Sequence, residues 1–466
     1  MSLLRSVGFW IFLVLVALGV VGYLWWSGAG TGGVVETVAR QALKATQQVS
    51  SLLPLAEDTQ KDITAVNAIS QKLLATDGVT RTYLVFMQNN FELRPGGGFL
   101  GQYGVFKIKD GKVISSYVED ANILDQRITL KVAPPYPFTR KLQLKRWKMR
   151  DSNFSPDYPT NVEKAQYFMR LAGSGVKADA VIAINSSVFD EALKITGPVK
   201  VPGFPPTFTA ENGANALETW VEKDFLTAGI AVQDRKLILK KLTPIMIEKL
   251  LLAGIPDLVK FGQDQVHNKN IMLYFTDPEL QALADERGWT GRMDTTWTGD
   301  YISAIDANMG ALKSDAYVKR SMNYTVDFTG EKPTSTLQYS YDHTATRGDW
   351  KTSDYHSYVR FYVPLGSTIV SRKLLGAQLT DKAFGKTYFG FFVDAVMGRK
   401  LDTEVVYTLP DTITEEGYKL LVQKQSGVGS VPLTVTMKRK DGSILTQNLT
   451  LERDITLQFT TETVEK

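Results

Sequence analysis

The residues of this chain that could do chemistry crowd into two short stretches. The first, residues 89–106, reads NNFELRPGGGFLGQYGVF. It holds Asn90, Glu92, Arg94 and three consecutive glycines, Gly96, Gly97 and Gly98. Successive backbone N–H groups in such a turn can form a concave anion site. Arg94 beside it carries a fork of donors able to meet an oxyanion in two places. The same letters also describe a wide bulged hairpin in which Arg94 pairs with Glu92 or another acid. The second stretch, residues 149–159, reads MRDSNFSPDYP. It sets Arg150, Asp151, Asn153, Ser155 and Asp157 within eight positions, and its prolines stop any helix or central strand. Such a loop is either an ordered surface turn or a ligand loop.

Composition narrows the chemistry. The 466 residues contain no cysteine, which removes disulfides, thiolate zinc sites and a cysteine nucleophile together. Of the three histidines, His267, His343 and His356, none has a second at a metal-ligand spacing. No Gly-x-Ser-x-Gly elbow supports a serine triad. The net charge of +4 is mild and its basic residues are interspersed with acids, so nucleic acid is not an expected partner.

The elements that must position these residues follow from pattern. Residues 82–87, TYLVFM, read as a buried strand leading into the glycine stretch, and a second strand runs over 100–108. Asp110-Gly111 marks a hairpin turn, and the strand returning over 112–118 ends at Glu119-Asp120. Thr160-x-x-Glu163 reads as a capping box for a helix reaching Leu171. The continuous apolar run ADAVIAIN, 178–185, has the character of a parallel strand covered on both faces. Helices are expected over 187–195, 211–226, 232–252 and from Pro278, so this region is an α/β (α+β) domain with a mixed sheet and covering helices. From about residue 319 alternating runs separated by turn residues take over, the signature of an all-β sandwich.

Before the main domain, residues 7–26 form an uncharged apolar run ending in Tyr23, Trp25 and Trp26. About 20 such residues span a hydrocarbon core of about 30 Å. Arg5 on the short side and the aromatic belt on the other predict an uncleaved single-pass anchor with a cytoplasmic N-terminus, the alternative being a signal peptide cleaved at the small-residue triplet Ser27-Gly28-Ala29. The expected organisation is therefore a cytoplasmic tip, transmembrane helix and tether over 1–33, and a helical hairpin over 34–78. The α/β domain follows over 79–318 and the sandwich over 319–466. The bulk of the chain is expected outside the cell membrane.

At ELRPGGGFLGQYG and RDSNFSPDYPT the sequence closely resembles a bacterial membrane-anchored family known as domain of unknown function 4012. VIAINSSVFDEALKITGPV, the Asp234-Arg235-Lys236 triplet and YISAIDANMGALKSDAYVKRS extend the resemblance over most of 83–321. More distantly, residues 79–255 resemble the LytR–CpsA–Psr family, whose members transfer glycopolymers from a polyprenyl pyrophosphate carrier to the cell wall with magnesium. That similarity implies a phosphotransferase-type ligase in which Arg94, Asp120 and Arg150 are catalytic. The chemistry such a site needs, donor forks for a pyrophosphate and carboxylates for a hard cation, points to a substrate site of Asn90, Arg94, Gly96, Gly97, Gly98, Arg150, Asp151, Asn153, Asp157 and Arg235, with magnesium on Asp120 and Asp151, and Asp157 as a further candidate. The partners implied are the membrane lipid, a polyprenyl phosphate carrier and cell-wall glycan. The sequence also departs from that family's pattern. Gly96 stands where the family has an aspartate, Glu119 where it has an arginine, and no Arg-x-x-Arg-Gln follows Arg235. Two expectations result: an envelope protein binding or transferring a lipid-linked glycopolymer, or a non-catalytic envelope binding or scaffold protein.

Overall fold

The computed structural model describes residues 57–73, 75–110, 112–231 and 237–459. The expected membrane anchor, the tether, the first helix of the hairpin and Arg235 lie outside the described residues. Among the described residues no helix is long and apolar enough to cross a membrane. The chain divides into two compact units.

The first unit takes its described residues from 1–88, 100–129 and 162–291. Its sheet contains β1 (Thr80–Asn89), β2 (Phe99–Lys109), β3 (Lys112–Asp120), β4 (Ala180–Asn185) and β7 (Ile271–Phe275), in the order β3-β2-β1-β4-β7. A two-stranded ribbon, β5 (Val199–Lys200) with β6 (Thr207–Phe208), lies between β4 and β7 in the chain. β4 runs parallel to β1, with Tyr83 opposite Ala180, and all six of its residues are buried, as its unbroken apolar run requires. β2 and β3 form the hairpin foreseen at Asp110, and β7 closes the other edge antiparallel to β4. The sheet is therefore mixed.

One face of this sheet presents Tyr83, Val85, Phe106, Ile108, Ile182, Ile184, Leu273 and Phe275 to a single hydrophobic cluster. The helix Glu57–Leu73 joins it through Val66, Ile69 and Leu73, spaced three and four apart as one helical face demands. Ser187–Thr196, Leu237–Leu252, Ile255–His267 and Pro278–Glu286 supply further helical cover. Buried Asp62 fastens the first helix, accepting from Arg287 Nε at 2.7 Å and Gln263 Nε2 at 3.0 Å and meeting His267 Nε2 at 2.9 Å. The single helix expected over 211–226 is three pieces, Gly213–Thr219, a π-helical turn Trp220–Asp224, and Phe225–Thr227.

The second unit takes its described residues from 89–99, 130–161 and 292–466. Its strands are β8 (Asp300–Asn308), β9 (Val318–Asp327), β10 (Thr334–His343), β11 (Tyr355–Pro364), β12 (Thr368–Lys373) and β13 (Gln378–Ala383). They continue with β14 (Lys386–Ala395), β15 (Lys400–Thr408), β16 (Lys419–Val422), β17 (Val431–Lys438), β18 (Ile444–Leu451) and β19 (Ile455–Gln458). Two six-stranded sheets result, β12-β15-β10-β9-β17-β18 and β13-β14-β11-β8-β16-β19. β9 alternates buried and solvent-facing residues, as expected where one face meets a core.

β8 is a central strand of the second sheet, although it precedes the residue-319 boundary read from pattern. All nine of its residues are buried, and the polar ones are bonded inside. Asp300 accepts from the hydroxyls of Tyr324 at 2.7 Å and Tyr418 at 2.6 Å. Asp306 accepts from Arg320 Nε at 2.8 Å, Ser357 Oγ at 2.7 Å and Tyr341 OH at 2.9 Å. The two chemistry-bearing stretches, 89–99 and 149–159, group with these sandwich strands.

Candidate functional site

Arg94 is 2% exposed. Its Nη2 donates to Glu92 Oε1 at 2.8 Å and Asp151 Oδ1 at 3.2 Å, and its Nη1 to the Asn308 carbonyl at 3.2 Å. The Phe99 and Phe138 rings lie 5.4 and 5.8 Å from the guanidinium carbon. Burial works against the charge on Arg94, and Glu92 and Asp151 outweigh it. Burial raises the Glu92 carboxyl, with Arg94 opposing. The fork is thus closed by acids of its own unit, which is the paired alternative the sequence left open.

The glycines serve close packing of backbone against backbone. The Gly96 amide donates to the Asn153 carbonyl at 3.1 Å and the Gly97 amide to the Arg94 carbonyl at 2.9 Å. Asn153 Nδ2 donates to the Gly98 carbonyl, and Asn90 Nδ2 to that of Gly427 at 3.1 Å. A Cβ on Gly98 would stand 2.4 Å from the Asn89 carbonyl carbon. One on Gly427 would stand 1.9 Å from the Gly97 oxygen. Gly96, Gly97 and Gly98 are all buried, so the amides of Gly96 and Gly97 face carbonyls of the chain and not an open concavity.

The polar loop is likewise committed. Asp157 Oδ2 accepts from Thr160 N at 3.0 Å and Thr160 Oγ1 at 2.6 Å. It thereby caps the helix Tyr158–Leu171, three residues ahead of the Thr160 cap that the sequence pattern suggested. Its Oδ1 accepts from Met293 N at 3.0 Å. Arg150 is partly exposed, with Nε 3.7 Å from Asp151 Oδ2.

Asp120 belongs to the first unit, where its Oδ1 caps the helix Ala121–Arg127 by accepting from Asn122 N at 2.7 Å and Asn122 Nδ2 at 2.8 Å. Of the predicted residues, Asn90, Arg94, the glycines, Arg150, Asp151, Asn153 and Asp157 therefore share one unit. Asp120 is in the other, and Arg235 is not described. Asp120 Oδ1 is engaged in a cap, and Asp151 in ion pairs with Arg94 and Arg150. Among the described residues no cluster of three or more His, Cys, Asp or Glu is arranged to hold a metal.

A different site opens on the first unit. Tyr103, Val105 and Lys107 of β2 alternate onto one sheet face, and register places Glu119 opposite Tyr103 and Tyr117 opposite Val105. With Thr82, Arg127 and the loop 172–177 they line a groove of about 630 Å³. Arg127 grips Glu119 with both amino groups, at 2.8 and 2.5 Å, and the Tyr103 hydroxyl donates to the same carboxylate. Arg127 first, and Tyr103 with it, hold the Glu119 carboxyl below its usual range. The Tyr117 ring is half exposed and meets Tyr103 edge to face, centroids 6.4 Å apart. In the sequence Glu119 stands out only as a strand end and a departure from an expected arginine, and the local signal for this face is Tyr-x-Val-x-Lys facing Tyr-x-Glu across a hairpin.

No curated protein matches the chain. Among solved structures it is similar to the X-ray structure of the Lin1025 protein from Listeria innocua, at 13% identity and a TM-score of 0.22. That similarity covers 45% of this chain and 79% of the other. At that score the likeness carries no argument about fold or function. Residues 78–221 match the family model described as a protein of unknown function (DUF4012).

Proposed function

We propose that this is a membrane-anchored, extracytoplasmic cell-envelope protein that binds envelope polysaccharide and does not transfer it. The observation that carries the non-catalytic reading is the state of Arg94, buried with both amino groups bonded to its own unit. A pyrophosphate has no free fork there, and breaking a buried ion pair to supply one is costly. The groove on the first unit supports the binding half. It offers aromatic and hydrogen-bonding side chains but one carboxylate, Glu119, and that one is held ionised by Arg127. Glycoside hydrolysis in its usual form needs two.

The test is made on the full chain in detergent, by co-sedimentation with purified bacterial cell walls and by titration with a polyprenyl pyrophosphate. Wall binding that survives chelation of divalent metal, with no saturable pyrophosphate binding, is the expected result. Saturable pyrophosphate binding that Arg150→Ala weakens would restore the glycopolymer-transferase reading.

A further inference from the structure

We infer that the groove between the β2–β3 face and the loop 172–177 is a binding site for an acidic saccharide. The inference rests on the envelope-binding reading and names its site and ligand class.

Three features define what fits. The first is charge: the lining carries three cationic side chains, Lys107, Arg127 and Lys177, against one anionic, Glu119. Arg127 is spent on Glu119, whereas Lys107 and Lys177 are exposed and have no ion-pair partner among the described residues. A ligand with a carboxylate or phosphate group would supply the missing counter-charge. The second is the Glu119 carboxylate itself. Held ionised, it is an acceptor only, and it demands donors from whatever lies over it. A bare phosphate or pyrophosphate offers acceptors and would be repelled, whereas sugar hydroxyls donate. The third is Tyr117, a half-exposed ring braced edge-on by Tyr103, which gives a flat apolar face at the rim. The C–H face of a pyranose packs on such a ring. A hydroxylated, ring-shaped and anionic ligand satisfies all three, and a volume of about 630 Å³ falls among those of small-ligand sites.

The experiment is calorimetric titration of the full chain in detergent. The probes are hexagalacturonate, its methyl ester, inorganic pyrophosphate and hexaglutamate. Hexagalacturonate is expected to bind about tenfold more tightly than any of the other three. Tyr117→Ala and the double variant Lys107→Gln/Lys177→Gln are each expected to weaken it about tenfold, the latter also flattening its salt dependence. These positions are exposed, and unchanged thermal melting would show the variants folded. Equal affinity for the ester, for hexaglutamate or for pyrophosphate would overturn the proposal, as would full affinity in both variants. Should the parent chain bind cell walls while the variants bind them equally well, the site assignment fails and the envelope reading stands. Absence of binding to walls and to every saccharide would remove both.

Discussion

Arg94 and Arg127 each pair with a glutamate close in sequence, and what separates them is water. Arg94 is 2% exposed, so Arg94→Ala would take the guanidinium from Glu92 and leave buried Asp151 with only the more distant Arg150. A loss of about 3–5 kcal/mol is expected by urea denaturation of the full chain. The Arg127 side chain is 43% exposed, and its ion pair with Glu119 is screened. Arg127→Ala should cost under about 1 kcal/mol while still loosening the groove. A reversal of these two magnitudes would undo the distinction drawn between a structural and a ligand-facing arginine. Asp300 provides a test by pH. Burial pushes its carboxyl up from 3.8 to about 6, against the pull of the Tyr418 and Tyr324 hydroxyls. Because the folded value lies above the unfolded one, its contribution is fully present below about pH 3.8 and is lost as pH rises through about 6. The parent chain should therefore lose up to about 3 kcal/mol more stability than Asp300→Asn between pH 4 and pH 7. Identical pH slopes in the two proteins would show that Asp300 does not titrate this way.

At the scale of elements, the glycine stretch shows how one pattern admits two structures. Three glycines let a backbone approach either an anion or another backbone. The choice fell on the second because Gly427, at φ +80°, and the carbonyl of Asn89 occupy the space. Gly98→Ala and Gly427→Ala should each lower the urea midpoint by the equivalent of about 2–4 kcal/mol. Gly417→Ala, at φ +66° with nothing within 4 Å of its Cβ, should cost about 1 kcal/mol from strain alone. Equal costs at all three positions would mean that close packing is not what selects glycine there. β4 and the β2–β3 hairpin were legible in sequence because an unbroken apolar run and an Asp-Gly turn are local signals. β8 was not, since Asp300, Ser303, Asp306 and Asn308 interrupt its apolar pattern. Their burial depends on Tyr324, Arg320, Tyr341 and Ser357 arriving from other strands, on Tyr418 just ahead of β16, and on the Gln423 carbonyl, which takes the Ser303 hydroxyl. Asp157, a ligand candidate in the sequence, caps Tyr158–Leu171, which begins earlier than the Thr160 signal implies.

At the scale of the molecule, the apolar run at 7–26 predicts that a reporter fused after Lys466 faces outward. A periplasm-dependent phosphatase placed there should be active and a cytosol-dependent reporter silent, and the opposite pattern would invert the topology. The sequence by itself determined the classes of element, the mixed α/β and all-β character of successive regions, and the absence of thiol chemistry. Those follow from periodicity and composition, which act over a few residues. Only the tertiary structure decided that the conspicuous arginine and glycines are sealed while an inconspicuous hairpin face is open. Exposure and charge compensation are set by residues far apart in the chain, among them Arg94 with Asp151 and Gly97 with Gly427, and no local pattern carries that information.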